Sequence, residues 1–123
     1  MSEIRDIQAK IRNFCEARDW MQFHNPKDMA AAISIEAAEL QEIFLWKSQA
    51  DSAQVAKDKN QQVQEEIADI GVYLFELADI LGIDLIAAME AKIQKNQQKY
   101  PADKVRGSSK KYTEYAQSGE GAK

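Results

Sequence analysis

Val63-Gln-Glu-Glu-Ile-Ala-Asp-Ile-Gly-Val-Tyr-Leu-Phe-Glu-Leu-Ala-Asp-Ile-Leu81 has the clearest period in the chain. Val63, Ile67, Ile70, Leu74, Leu77 and Leu81 recur at steps of three and four, the spacing that lines one face of an α-helix. A second stripe, Glu66, Asp69, Tyr73 and Glu76, runs beside the first. Gly82 stands where a helix end favours a residue without a Cβ, and Asp84 can cap the helix that follows. A long helix with one apolar stripe needs other elements to cover it, so the stretch predicts a helical domain.

Three more segments repeat the pattern. Residues 3–19 place Ile4, Ile7, Ile11, Phe14 and Cys15 on one face. Asn25-Pro26 opens another helix, with Asn as the cap, Pro in the first turn and Asp28 favouring the positive end of the dipole. Met29, Ile33, Ala37, Leu40 and Phe44 form its stripe, flanked by Glu36 and Glu39. The fourth segment, about 85–99, carries Leu85, Ile86, Met89 and Ile93, and Tyr100-Pro101 stops it. A polar connector at 51–57 joins the second segment to the Val63 helix and is short enough to make them antiparallel neighbours. No stretch alternates as a strand does. The expected fold class is all-α, a four-helix bundle-type protomer spanning 1–112, with 113–123 a flexible tail.

Glu36-Ala-Ala-Glu39 and Glu66-Ile-Ala-Asp69 each set two carboxylates on one side of a helix. Folding should turn both pairs towards one space, where four acidic groups repel unless a cation lies between them. Spacing alone is a weak signal, since Glu3/Asp6, Glu16/Asp19, Glu39/Glu42 and Glu76/Asp79 share it. The chosen pairs differ in lying directly beside core stripes on neighbouring helices. An all-oxygen donor set favours a hard ion, Mg²⁺ or Mn²⁺. A di-iron bundle would need a Glu-x-x-His on each of two helices, and the one histidine, His24, is preceded at that distance by Met21.

Composition narrows the partners. The chain has 123 residues, 45% of them hydrophobic and 29% charged, which suits one soluble domain. Its net charge is −4, with the basic residues enriched after position 100, and an acidic body argues against a broad nucleic-acid surface. No apolar run is long enough to span a bilayer, and no signal-peptide pattern follows Met1, so a cytoplasmic home is expected and no membrane partner. Cys15 is the only cysteine and needs no chemistry to account for it.

Other residues carry open alternatives. Trp20, Phe23 and His24 in the loop after residue 19 form either a staple over helix ends or a wall for a flat ring. Trp46 is core or stacking surface. Lys92, Asn96 and Lys99 share a helix face that is either solvated or a set of phosphate donors. Gly107-Ser108-Ser109-Lys110-Lys111-Tyr112 is a simple tail or a basic arm over an anion.

The ordered set Asp19-Trp20-x-x-Phe23-His24-x-Pro26, Glu36-x-x-Glu39-Leu40, Phe44-x-Trp46-Lys47, Glu66-x-x-Asp69 and Lys92-x-x-x-Asn96 resembles the all-α nucleoside triphosphate pyrophosphohydrolases. Within them it is most similar to MazG-like proteins and the related dCTP pyrophosphatases, over roughly residues 4–112. The resemblance implies a dimer or dimer of dimers with sites built across subunits, and hydrolysis between the α- and β-phosphates of a nucleoside triphosphate, with a lean towards deoxynucleotides. It implies that Glu36, Glu39, Glu66 and Asp69 hold Mg²⁺; for such a hydrolysis a carboxylate beside the ion is expected to take the proton of the attacking water, Glu39 first and Glu36 second. Lys92, Asn96, Tyr73 and Lys99 would meet the phosphates, and Trp20, His24 and Trp46 the base and sugar. Many MazG domains open the first motif with a double Glu, whereas Ile35 precedes Glu36 here, which favours the dCTP-pyrophosphatase-like branch. The rival readings are a non-catalytic nucleotide sensor and a helical interaction module.

Overall fold

A computed structural model describes residues 2–108. The tail at 113–123 lies outside the described residues, as does the basic arm from residue 109 onward. The described residues are helical: α1 (Glu3–Ala17), α2 (Pro26–Ile43), α3 (Ser52–Asp58), α4 (Asn60–Ile80), α5 (Leu85–Lys99) and α6 (Ala102–Val105), with one 3₁₀ turn at Met21–Phe23. The four long helices are the four periodic segments. The connector after α2 holds the short α3, and α6 is a single turn beyond the Pro101 stop. Among the described residues no helix is long and apolar enough to cross a membrane.

Three of the long helices, α1, α2 and α5, start at a side-chain cap. The Ser2 hydroxyl accepts from the Arg5 amide at 3.2 Å, Asn25 Oδ1 from the Asp28 amide at 2.9 Å, and Asp84 Oδ1 from the Ala87 amide at 3.0 Å. Two ends close in the same way. After α4, Gly82 at φ +67° lets its own amide reach Asp79 O at 3.1 Å and the Ile83 amide reach Ala78 O at 2.9 Å. After α1, Asp19 takes the corresponding left-handed position at φ +55°, and the amides of Asp19 and Trp20 bond Glu16 O and Cys15 O at 3.1 and 3.0 Å. Asp19 is among the few non-glycine types that tolerate this region, and Gln22 Nε2 bonds both its carbonyl and its carboxylate.

The chain divides into two compact units, Met1–Ile83 and a second one from Asp84 onward. In the first, α1, α2 and α3 all pack on α4, which is therefore its centre. Gln8 Nε2 donates to Phe75 O at 2.9 Å, Arg12 reaches Asp79 Oδ2 at 2.6 Å, and Cys15 Sγ donates to Glu76 Oε1 at 3.2 Å. These three bonds fix the register of α1 against α4. Met29 of α2 is 1% exposed, and Ile11, Cys15 and Ala78 are buried with it. The second unit holds α5 and α6.

One expectation about the core needs correction. On α4 the stripe expected to be inward is only partly covered: Ile67, Leu74 and Leu81 are exposed, as is Ala37 on α2. Glu76 of the neighbouring polar stripe is buried instead, with Glu66 and Tyr73 half-buried. The helix is rotated so that α1 and α2 pack around its carboxylates, leaving part of the apolar stripe uncovered in the single chain.

Candidate active site

Glu36 and Glu39 reach out from α2 towards Glu66 on α4, because the two helices pack side by side with their acidic positions at one level. Carboxylate oxygens of all three lie within 4.8 Å of one another. Asp69, one turn beyond Glu66, is close enough for its charge to act on both Glu36 and Glu66. Glu36 and Glu66 are half-buried, and each has one oxygen, Oε2, buried without a hydrogen-bond partner among the described residues.

The electrostatics follow from crowding like charges. Glu36 is pushed up to about 7, first by burial, then by its contacts with Glu39 and Glu66 and by the charges of Glu39 and Asp69. Glu66 is raised as well, with burial the largest cause. A cation between these groups would remove the repulsion and satisfy the two orphaned oxygens. The residues present thus fit a hard divalent ion: oxygen donors only, from two rigid helices.

A cavity of about 470 Å³, with Asp69 in its lining, is shaped by α1, the loop after it and α4. Its apolar walls include Ile11, Phe14 and Trp20, and its polar lining includes Lys10, Asp69, Tyr73, Glu76 and His24. Trp20 is held by an edge-to-face contact with Phe14, the centroids 5.7 Å apart, while the Arg18 guanidinium covers the Phe14 ring at 3.8 Å. The left-handed Asp19 turn delivers Trp20 to that place. Tyr73 titrates above its ordinary range, through burial and then the charges of Glu36, Asp69 and Glu76, so its hydroxyl stays a donor at neutral pH. The volume and the flat aromatic wall suit a nucleobase-sized ring.

The structure thus gathers Glu36, Glu39, Glu66 and Asp69, with Tyr73, Trp20 and His24 around the adjoining cavity. Trp46 is not among them. It follows α2 at φ +63° with 92% of its surface exposed. Lys92, Asn96 and Lys99 all sit on α5 in the second unit. Sequence reading left Lys10, Cys15 and Glu76 without a role, yet all three line the cavity. Cys15 is pushed up to about 11 by burial, by its bond to Glu76 and by that residue's charge, so it remains a thiol. The one available signal for Glu76 was its place on the stripe of Asp69 and Tyr73.

The comparisons with known proteins agree with this architecture. Rat (Rattus norvegicus) dCTP pyrophosphatase 1 is 38% identical over 113 residues, 90% of this chain and 66% of the relative. The human (Homo sapiens) dCTP pyrophosphatase 1 is 36% identical over the same shares. The chain therefore spans just under two thirds of the length of these curated relatives. The crystal structure of a pyrophosphatase from Archaeoglobus fulgidus superposes with a TM-score of 0.79 at 39% identity, covering 82% of this chain and 94% of that one. The model of the MazG-like family matches residues 31–115, most of the chain and both acidic motifs, and the chain belongs to that family.

Proposed function

We propose that the protein is a nucleoside triphosphate pyrophosphohydrolase, cleaving between the α- and β-phosphates to a nucleoside monophosphate and pyrophosphate, with deoxynucleotides preferred. The observation that carries this is the convergence of Glu36, Glu39 and Glu66, with Asp69 beside them, at the edge of a base-sized cavity. The relatives named dCTP pyrophosphatase make dCTP the first substrate to try.

Glu36, Glu39, Glu66 and Asp69 would hold Mg²⁺, which when bound supplies the positive charge that a triphosphate needs close to carboxylates. Water adds to the α-phosphorus, the bond from that phosphorus to the bridging oxygen breaks, and pyrophosphate departs with the electron pair. Glu39 takes the proton of the attacking water, with Glu36 as the second choice. Glu39 is the more exposed of the two and so the more open to water. The Tyr73 hydroxyl donates to a phosphate oxygen, and Trp20 and His24 hold the base and sugar. Lys92, Asn96 and Lys99 remain the phosphate-contact candidates that the resemblance implies.

The working unit is a homodimer or homotetramer. Ile67, Leu74 and Leu81 leave an apolar strip on α4 uncovered, more than a lone soluble chain favours. Trp46, bare in the single chain, would meet a nucleotide across a subunit contact. The test of activity is product analysis with each dNTP and NTP, in Mg²⁺ or in EDTA. Mg²⁺-dependent monophosphate plus pyrophosphate is the expected result. Diphosphate plus orthophosphate would overturn the cleavage site. An absence of turnover would leave a nucleotide sensor or an interaction module, which a binding titration separates.

A further inference from the structure

Among the described residues that line the cavity, Glu76 is the one carboxylate that the acidic quartet does not use, and it is buried. Its side chain is 4% exposed and that of His24 is 16% exposed. One oxygen, Oε1, accepts from the Cys15 thiol at 3.2 Å. The other, Oε2, lies 2.5 Å from His24 Nδ1. That second contact is short but off-axis for a hydrogen bond, and neither atom has another hydrogen-bond partner among the described residues. A buried carboxylate is costly unless its oxygens are engaged, so its retention in a cavity wall calls for a role. Three elements meet at this group: α1 through Cys15, the loop through His24, and α4 itself.

We propose that Glu76 is a positioning residue, holding the Nδ1 side of the His24 imidazole so that its Nε2 side faces the cavity and meets the base-bearing end of the nucleotide. This rests on the function proposed above. The two ring nitrogens are chemically distinct, and the partner of one decides which proton the other presents. With Nδ1–H turned to Glu76, a slight rotation of the ring aligns the bond and engages both orphaned atoms. The Cys15 thiol serves the same end from the other side, because it occupies Oε1 and leaves Oε2 for the ring. His24 follows a single 3₁₀ turn on an otherwise irregular loop. Without an anchor, its ring would sample several rotamers and lose binding free energy each time a ligand ordered it.

Two measurements test this, one of them independent of turnover. His24 is the only histidine in the chain, so protein labelled with ¹⁵N-histidine gives the ring-nitrogen signals of one residue. The expected result is a proton on Nδ1 whose signal changes in Glu76→Gln, and an Nε2 signal that moves when α,β-imido-dCTP and Mg²⁺ are added. A ring protonated only at Nε2, or an Nδ1 signal identical in Glu76→Gln, overturns the proposal. The second measurement is steady-state kinetics with dCTP for Glu76→Ala, Glu76→Gln, His24→Asn and the double variant His24→Asn/Glu76→Ala. Glu76→Ala should raise KM about tenfold with kcat changed less than about threefold, and Glu76→Gln should recover most of the loss. The double variant should be no worse than His24→Asn alone, because the two residues act as one. Unchanged KM in folded Glu76→Ala, or penalties that multiply, would sink the idea. If wild-type protein turns over no triphosphate, the enzymatic reading has failed. The proton position in the ring and its response to Glu76→Gln would then decide the Glu76–His24 link on its own.

Discussion

Glu36 shows how a single carboxyl can link acidity, stability and metal. Its ordinary value is 4.5 and the folded site pushes it up to about 7, so the folded protein holds more protons than the unfolded chain between those values. More protons on the folded side mean that stability falls as pH rises through that window, because repulsion grows as Glu36 ionises. Thermal melts of EDTA-treated protein are therefore expected to give a higher midpoint at pH 5 than at pH 8. Mg²⁺ should restore more stability at pH 8, above the Glu36 value, than at pH 5, below it. Equal midpoints with and without Mg²⁺ at pH 8 would remove the cation from the site. Glu39→Ala and Asp69→Ala should each lower turnover by about a hundredfold or more while the melting transition stays cooperative. A variant with near-normal turnover would remove that residue from the machinery.

Among the elements, α4 decides most. Its period made it recognisable as a helix, and the cap residues Asn25, Asp84 and Gly82 marked boundaries because capping is local chemistry. Which of its two adjacent stripes faces inward could not be read in the same way. The Val63 to Leu81 stripe and the Glu66 to Glu76 stripe are neighbours on one cylinder, and only the partners packed against it choose between them. In the folded chain α1 and α2 choose the carboxylates, so Ile67 and Leu74 stay out while Glu76 goes in. The Asp19 turn was equally illegible, since aspartate in a left-handed position leaves no clear mark in sequence. A prediction belongs to the other such turn. At Gly82 an added Cβ meets nothing within 4 Å, so Gly82→Ala should cost only backbone strain, about 1 kcal/mol, read from the denaturant midpoint. No loss of stability would mean that the turn relaxes to another geometry.

For the whole molecule, the exposed apolar strip on α4 makes a claim about assembly. Leu74→Glu or Ile67→Glu should shift the particle towards the monomer in sedimentation and lower activity in parallel. Unchanged sedimentation in both would remove this strip as a subunit contact. The extent of the site was partly visible in advance. The i, i+3 spacing of the two acidic pairs is shared by other pairs in the chain, and what marked these two was their place beside apolar stripes on helices that the short connector made neighbours. The cavity was harder. Cys15 meets Glu76 across 61 positions of sequence, and neither residue carries a local sign of the other. Contacts of that kind depend on the packing of α1 against α4, which periodicity does not specify.

That packing has a consequence for how the protein is born. The bonds from Gln8 to Phe75, from Arg12 to Asp79 and from Cys15 to Glu76 join residues 61 to 67 positions apart. Chains emerge from the ribosome at roughly 5–20 residues per second, so α1 waits several seconds before the helix it docks on exists. During that wait its apolar face, Ile7, Ile11 and Phe14, stands open to solvent and to chaperones. The N-terminal helix should thus be the last part of the first unit to lock, and the aromatic wall it carries the last part of the cavity to form.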